Sequence, residues 1–261
     1  MLDLEQIGKF YTENVRVFKR NILREYLQYK ILEIIFDSNE GSKVSFMGGT
    51  AIRIIHSSGR FSEDLDFDNR GIGKKDFLKF AGKIKKRLEL EGYKVELKNS
   101  TDGVFRSYIK IKEILYKYGL SQHTAEKLTI QLDMEPQNFE YNPDKKIINK
   151  FDIFIRSNIV PPDILLAQKI TAIFTRPRAM GRDFYDTVFL LGLTKPSIKY
   201  LKDKLGISGY GELKKKLIQK TKNLDFKKLA EDIEPFLINP GDKKRVLLFK
   251  EYIEESIGRE Q

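Results

Sequence analysis

The chain has 261 residues, 41% of them hydrophobic and 33% charged, enough for one large domain or two smaller ones around a substantial apolar core. It contains no cysteine, which excludes disulfides, thiol nucleophiles and thiolate metal sites and suits a reducing cytoplasm. The formal charge of +11 favours attraction to polyanions, and Arg70 to Lys127 supplies most of it, with 15 Lys/Arg against 7 Asp/Glu.

The amino-terminal segment lacks the basic start and unbroken apolar stretch of a secretory signal, and no apolar run approaches the roughly 20 residues of a membrane helix, so a cytoplasmic protein without a membrane partner is expected. Residues 14–37 carry Val15, Phe18, Ile22, Ile31, Ile34 and Ile35 at helical spacing, which predicts one long amphipathic helix with Asn14 as a cap. "KVSFMGG" reads as a short strand ending on two glycines, and Thr50 to His56 as a helix. "EDLDFD" alternates as a strand, with Leu65 and Phe67 on one face and Asp64, Asp66 and Asp68 on the other. "FLKFAGKIKKRLELEG" predicts a helix stopping at Gly92, followed by strands in "YKVELK", "VFRSYIKI" and "KLTIQLDM". "PQNFEYNPDKK" reads as a loop out of the sheet region, and from "PPD" onward the pattern is helical, broken at Gly181, "GLTKP", "GISGYG" and "NPGDKK". The predicted fold class is therefore α+β (mixed α/β). An α/β domain with an amino-terminal helix covers residues 1–150, and a mostly helical domain covers 151–261.

Two glycines between a strand and a helix allow a sharp bend and close approach to a ligand, and the helix start offers unpaired N–H groups to phosphate. Carboxylates two apart on a strand share a face and repel, so a cation is expected between them. A hard divalent ion such as Mg²⁺ fits, because it takes oxygen ligands and often pairs a few carboxylates with substrate phosphates. Asp133, polar-facing on another strand, becomes a third candidate metal ligand if the two strands pair. Such a site suits phosphoryl or nucleotidyl transfer by positioning and charge neutralisation. The bland alternative is a Gly-Gly turn beside a solvated acidic edge strand.

Gly48-Gly49-Thr50, thirteen residues, then Asp64-Leu65-Asp66 resembles the glycine–serine/threonine and DxD signature of DNA polymerase β-like nucleotidyltransferases. More narrowly, "GGTAIR…RFSEDLDF" is similar to the AbiEii/AbiGii nucleotidyltransferase toxins and their MenT relatives. A second block supports the likeness: "DILLAQKITAIFTR" places Leu166, Ile170, Ile173 and Phe174 on one stripe with Lys169 off it, and "GRDFYDTVFLLG" puts Asp183 and Asp186 three apart on one helix face. The family shows a lysine, an apolar residue and an arginine, then Arg-Asp-x-x-Asp. Here Lys169-Ile170, Arg176, Arg182-Asp183 and Asp186 fill those places, with isoleucine replacing the usual leucine.

The resemblance covers about residues 40–195. It implies a polymerase β-like core sheet with flanking helices and a C-terminal helical bundle. Asp64, Asp66 and Asp133 would hold Mg²⁺ (or Mn²⁺). Gly48, Gly49, Thr50, Lys169, Arg176 and Arg182 would bind the NTP. Asp183 and Asp186 would act in catalysis by orienting Lys169 or Arg182, or as base. The acceptor in some members is the 3′ end of tRNA, and a cognate antitoxin from a neighbouring gene restrains the enzyme. The loop "TRPRAMGRD" brings Arg176, Arg178 and Arg182 close in sequence to the expected site, either as a guide for an RNA or a triphosphate or as a plain basic connector. Two other classes stay open: a catalytically idle nucleotide- or nucleic-acid-binding module of the same fold, and a metal-dependent nuclease. His56 and His123 are too few for a histidine metal site, and neither a Walker motif nor a Ser–His–Asp nucleophile motif is present.

Overall fold

The computed structural model describes residues 2–257, so the last four residues of the expected C-terminal domain lie outside the described residues. Two compact units emerge. The first comprises residues up to Ser57, Phe61–Asn138 and Pro143–Ile159. The second comprises Ser58–Arg60, Phe139–Asn142 and the chain from Val160.

The first unit begins with two short helices, α1 (Leu4–Gly8) and α2 (Glu13–Arg16), before the long α3 (Lys19–Phe36). Asn14 lies inside α2, whose N-cap residue is Thr12, so it caps no long helix. The chain then runs through β1 (Val44–Met47), α4 (Gly48–His56), β2 (Leu65–Asn69), α5 (Lys74–Leu90), β3 (Lys94–Ser100), β4 (Phe105–Lys112), the short α6 (Ile114–Lys117), β5 (Leu128–Glu135), β6 (Asp144–Lys150) and β7 (Ile153–Ile159). The seven strands form one sheet ordered β3-β4-β5-β2-β1-β7-β6. β2 runs parallel to β5 and β1 parallel to β7, while the remaining neighbours are antiparallel, so the sheet is mixed as the fold class requires.

The alternation legible in the sequence sets the core. Phe46, Leu65, Phe67, Ile130 and Leu132 are fully or almost fully buried. Phe46 and Phe67 pack with ring centroids 5.4 Å apart, and Phe36 of α3 reaches Phe67 at 6.2 Å. The helix α3 departs from a simple amphipathic pattern, because it is buried around most of its circumference, polar residues included. A buried polar group must be paired. Lys30 accordingly meets Glu33 at 2.9 Å and Glu91 at 3.2 Å, and Gln28 donates to two loop carbonyls.

Residues 136–143 of "PQNFEYNPDKK" are loop as read, and its last three residues open β6; the strands β6 and β7 extend the sheet nine residues past the expected boundary at 150. Their pattern resisted reading because Lys145, Lys146 and Ile147 are all exposed, which removes the apolar–polar alternation from β6, the edge strand.

The second unit is helical, as expected: α7 (Pro162–Thr175), α8 (Gly181–Leu191), α9 (Ile198–Leu205), α10 (Tyr210–Thr221), α11 (Phe226–Ile233), α12 (Lys244–Leu247) and α13 (Phe249–Ser256). Its centre is α8, whose Phe184 meets Phe226 and Phe249 edge-on with centroids 5.5 and 4.9 Å away. Gly181, expected as a break, is where α8 starts against α11. A Cβ there would stand 2.0 Å from the Leu229 carbonyl oxygen, so only glycine permits this approach. No helix among the described residues is long and apolar enough to cross a membrane.

Candidate functional site

In the first unit, β1 ends at Met47 and the chain turns at once into α4 through Gly48, whose φ of +77° is open to glycine and strained for other residues. Met47 pairs with Asp66 across the antiparallel β1–β2 ladder, which brings the Asp66 side chain against this turn. A Cβ on Gly48 would lie 2.1 Å from Asp66 Oδ2, so the missing side chain is the space the carboxylate fills. Gly49 is buried inside the first turn of α4.

Asp64 stands just before β2 instead of within it, and both Asp64 and Asp66 are half-buried. The segment leading to Asp64 is held by three consecutive carbonyls. Gln28 Nε2 donates to those of Ser62 and Glu63, each at 3.0 Å, and the Thr50 hydroxyl donates to that of Asp64. Thr50 is fully buried, so in this structure its hydroxyl positions an aspartate. Asp68, on the same strand face as Asp66, is buried and accepts from the backbone N–H of Gln137 at 2.9 Å, which makes it a loop anchor.

The parallel register pairs Asp66 with Asp133, as the sequence reading required, but Asp133 is already engaged. Both of its oxygens accept from Arg106, Nε at 2.8 Å and Nη2 at 2.7 Å, and Gln131 Nε2 adds a third bond at 3.0 Å. The carboxylate expected as third metal ligand is thus the partner of an arginine one strand further out. Among the described residues no group of three or more His, Cys, Asp or Glu side chains is arranged to hold a metal ion. With Asp133 engaged by Arg106, a Mg²⁺ here would take Asp64 and Asp66 as its carboxylates and complete its shell with phosphate oxygens and water. The sequence signal for Arg106 was present: in "VFRSYIKI" it alternates with buried residues and must share the polar face of β4.

In the second unit, Lys169 of α7 meets both aspartates of α8, Asp186 at 2.9 Å and Asp183 at 3.7 Å. Asp186 is fully buried and also takes a bidentate pair from Arg60, at 2.7 and 2.6 Å. Burial opposes its charge, yet Arg60 and Lys169 outweigh that and hold its pKa below the usual carboxylate value. An ionised, enclosed carboxylate gripped by two cations orients them and has no access to take a proton from a bound hydroxyl. Asp183 is equally buried; Arg176 Nε lies 2.8 Å from its Oδ2, off hydrogen-bond geometry, so charge alone holds that pair. Arg182 is exposed and forms no ion pair among the described residues. Arg178 is exposed as well, 3.8 Å from Asp232.

Arg60 was missed by the sequence reading although it opens the quoted "RFSEDLDF". It belongs to the three-residue segment Ser58–Arg60 of the second unit, where it bridges Leu237 and is almost fully buried. The signal was only that an arginine so close to an apolar and acidic run needs a carboxylate if it is buried.

Two solved structures from Helicobacter pylori share this fold. One, JHP933, is 18% identical, with a TM-score of 0.56 and 90% of each chain covered. The other, described as a candidate nucleotidyltransferase, is also 18% identical, with a TM-score of 0.57 over 89% of this chain and 92% of its own. No curated protein is similar enough to match. The sequence profile of the family described as "Nucleotidyl transferase AbiEii toxin, Type IV TA system" matches residues 30–246, a span that contains the Gly48 turn, the Asp64–Asp66 pair and the Lys169–Asp186 cluster. The chain therefore belongs to the AbiEii nucleotidyl transferase toxin family.

Proposed function

We propose that the chain transfers a nucleotide from an NTP to an acceptor hydroxyl with the help of Mg²⁺ or Mn²⁺, as the toxin of an AbiE-like toxin–antitoxin system. The observation that carries this is the Gly48 turn with the Asp66 carboxylate seated against it: a backbone bend that receives phosphate and an acidic group beside it. Asp64 and Asp66 would hold the ion, which when bound neutralises charge on the triphosphate. The first turn of α4, Gly48 to Thr50, offers N–H groups to the phosphates, and Thr50 and Gln28 fix the backbone from which Asp64 projects.

In the reaction the acceptor oxygen bonds to the α-phosphorus, the bond from that phosphorus to the bridging oxygen breaks, and pyrophosphate leaves. The hydroxyl proton passes to an aspartate of the first unit, since Asp186 is enclosed. Lys169 is assigned to the triphosphate charge, with Asp183 and Asp186 orienting it and Arg176 and Arg182 adding positive charge. The +11 charge suits a nucleic-acid acceptor, and the family resemblance makes the 3′ end of tRNA the acceptor to test first. A cognate antitoxin is the expected partner.

The test is incubation with each α-labelled NTP, Mg²⁺ and total RNA, with Asp66→Asn as control. Label on RNA that disappears in the variant supports transfer. Shortened RNA would replace this reading with a nuclease, and binding without change in the RNA would replace it with an idle module.

A further inference from the structure

The first unit carries a cleft of about 480 Å³ between α3, the second half of α4 and the edge strand β6. Its floor is Glu25, which is 4% exposed and accepts from the Tyr11 hydroxyl at 2.7 Å, Arg53 Nε at 2.8 Å and Lys150 Nζ at 2.9 Å. Two cations on one carboxylate leave the floor positive. Burial pulls the Lys150 pKa down, while Glu25 supports its charge. Its ammonium also sits 3.8 Å above the Tyr11 ring, so the aromatic face helps to hold it.

At the mouth, Lys146 of β6 is exposed and forms no ion pair among the described residues. Beside it the half-buried His56 imidazole makes no side-chain hydrogen bond among those residues. Burial first, and then Lys146, lower its pKa and outweigh the nearby Asp144, which raises it, so near pH 7 it is neutral and can donate or accept. The remaining walls are aliphatic, Ile55 and Ile147, the latter 57% exposed.

Arg53 and His56 alone would be ordinary compensation for the C-terminal end of a helix. Lys146 and Lys150 come from a different element and converge on the same space, which that explanation does not cover. Arg53, Lys146 and Lys150 outnumber the enclosed Glu25 and the Asp144 carboxylate that acts on His56, so the cleft selects an anion, and the aliphatic wall beside them selects one with a flat or apolar part. The space is in the range of small-ligand sites, about 300–1,000 Å³.

We infer that this cleft binds a phosphorylated nucleoside unit, with the phosphate at Lys146 and Arg53 and the base against Ile147. Two sources share that chemistry: a nucleotide within an RNA strand, and a free mononucleotide. The strand is favoured by position, since Gly48 and His56 are the two ends of α4, eight residues and therefore about 12 Å apart along its axis. An RNA whose end lies at the Gly48 turn reaches the cleft within a few nucleotides. This last step rests on the proposed function; the binding itself does not.

The test is equilibrium binding of a fluorescein-labelled 12-nucleotide RNA, and separately of a fluorescent AMP analogue, to the full chain without divalent ion or NTP. Wild type, Lys146→Glu and Lys220→Glu are compared, the last being the same charge change on exposed α10. The expected result is that Lys146→Glu weakens RNA binding about tenfold and flattens the dependence of log K on log salt by about 0.7, while Lys220→Glu does much less. If AMP binding falls and RNA binding does not, the same site serves a free nucleotide. If neither ligand responds, or Lys220→Glu costs as much as Lys146→Glu, the inference is overturned. If the wild-type protein binds RNA in a way that depends on Lys146 yet transfers no label, the proposed function fails and this site stands; if it transfers label and Lys146→Glu leaves RNA binding unchanged, this site fails and the proposed function stands.

Discussion

Replacing Gly48 by alanine perturbs the turn in two separable ways. A non-glycine residue at φ +77° costs roughly 1–2 kcal/mol. The new Cβ would also stand 2.1 Å from Oδ2, 2.7 Å from Cγ and 2.8 Å from Cβ of Asp66. Because the whole Asp66 side chain is within reach, turning its carboxylate alone does not clear the contact. Either the side chain swings out or β2 shifts against β1. Such displacement adds about 1–2 kcal/mol, for a total loss of roughly 2–4 kcal/mol. Transfer should fall far more than stability does, on the order of 100-fold, since a misplacement near 1 Å is enough. Urea unfolding and labelled-NTP transfer are measured on Gly48→Ala, Asp66→Gly and the double variant. The double variant should recover the contact part of the stability loss, giving a coupling of about 1–2 kcal/mol, and none of the activity. A coupling near zero, or a Gly48→Ala protein that unfolds and transfers like wild type, would refute the idea that the turn and Asp66 form one unit.

How much of this was legible depends on whether a residue's role is local. The Gly48 turn, the alternation around Asp66 and the amphipathic stripe of α7 follow from neighbours in sequence, and the structure places them as read. The partners of the charges were not legible, because each comes from far away in the chain: Asp133 from Arg106, Asp186 from Arg60, and Glu25 from Lys150. Two of these, Arg60–Asp186 and Lys150–Glu25, are separated by more than 120 residues, and no spacing rule reaches that distance. The hairpin of β6 and β7 was lost for a different reason. An edge strand with exposed Lys145, Lys146 and Ile147 in succession has no periodicity to read, and of these Lys146 and Ile147 also line the cleft.

The buried pair in the second unit makes a stability prediction. Asp186→Asn should destabilise that unit by roughly 3–5 kcal/mol in urea unfolding, because Arg60 and Lys169 lose the carboxylate that neutralises them; a loss below 1 kcal/mol would mean water reaches them. The same carboxylate sets a pH window. Its folded pKa lies below its ordinary value of 3.8, so the unfolded chain binds the proton more readily, and its stabilisation is complete above about pH 4 and lost as pH falls through the folded value. Unfolding midpoints from pH 6 to 3 should therefore drop for wild type and stay flatter for Asp186→Asn; parallel curves would show that Asp186 titrates normally. Arg106→Gln tests how many carboxylates the ion uses. Asp66 and Asp133 are neighbours in register, and the guanidinium, with a lesser bond from Gln131, keeps Asp133 from turning to a shared cation. A partly exposed ion pair is worth roughly 0.2–1 kcal/mol, so releasing Asp133 should tighten Mn²⁺ binding by a factor of about 1.4 to 5 by electron paramagnetic resonance. Unchanged Mn²⁺ affinity would mean that Asp133 belongs to Arg106 permanently and that Asp64 and Asp66 hold the ion alone. Weaker binding would mean that Arg106 is what keeps the acidic face in order, since removing a positive charge can otherwise only help a cation bind.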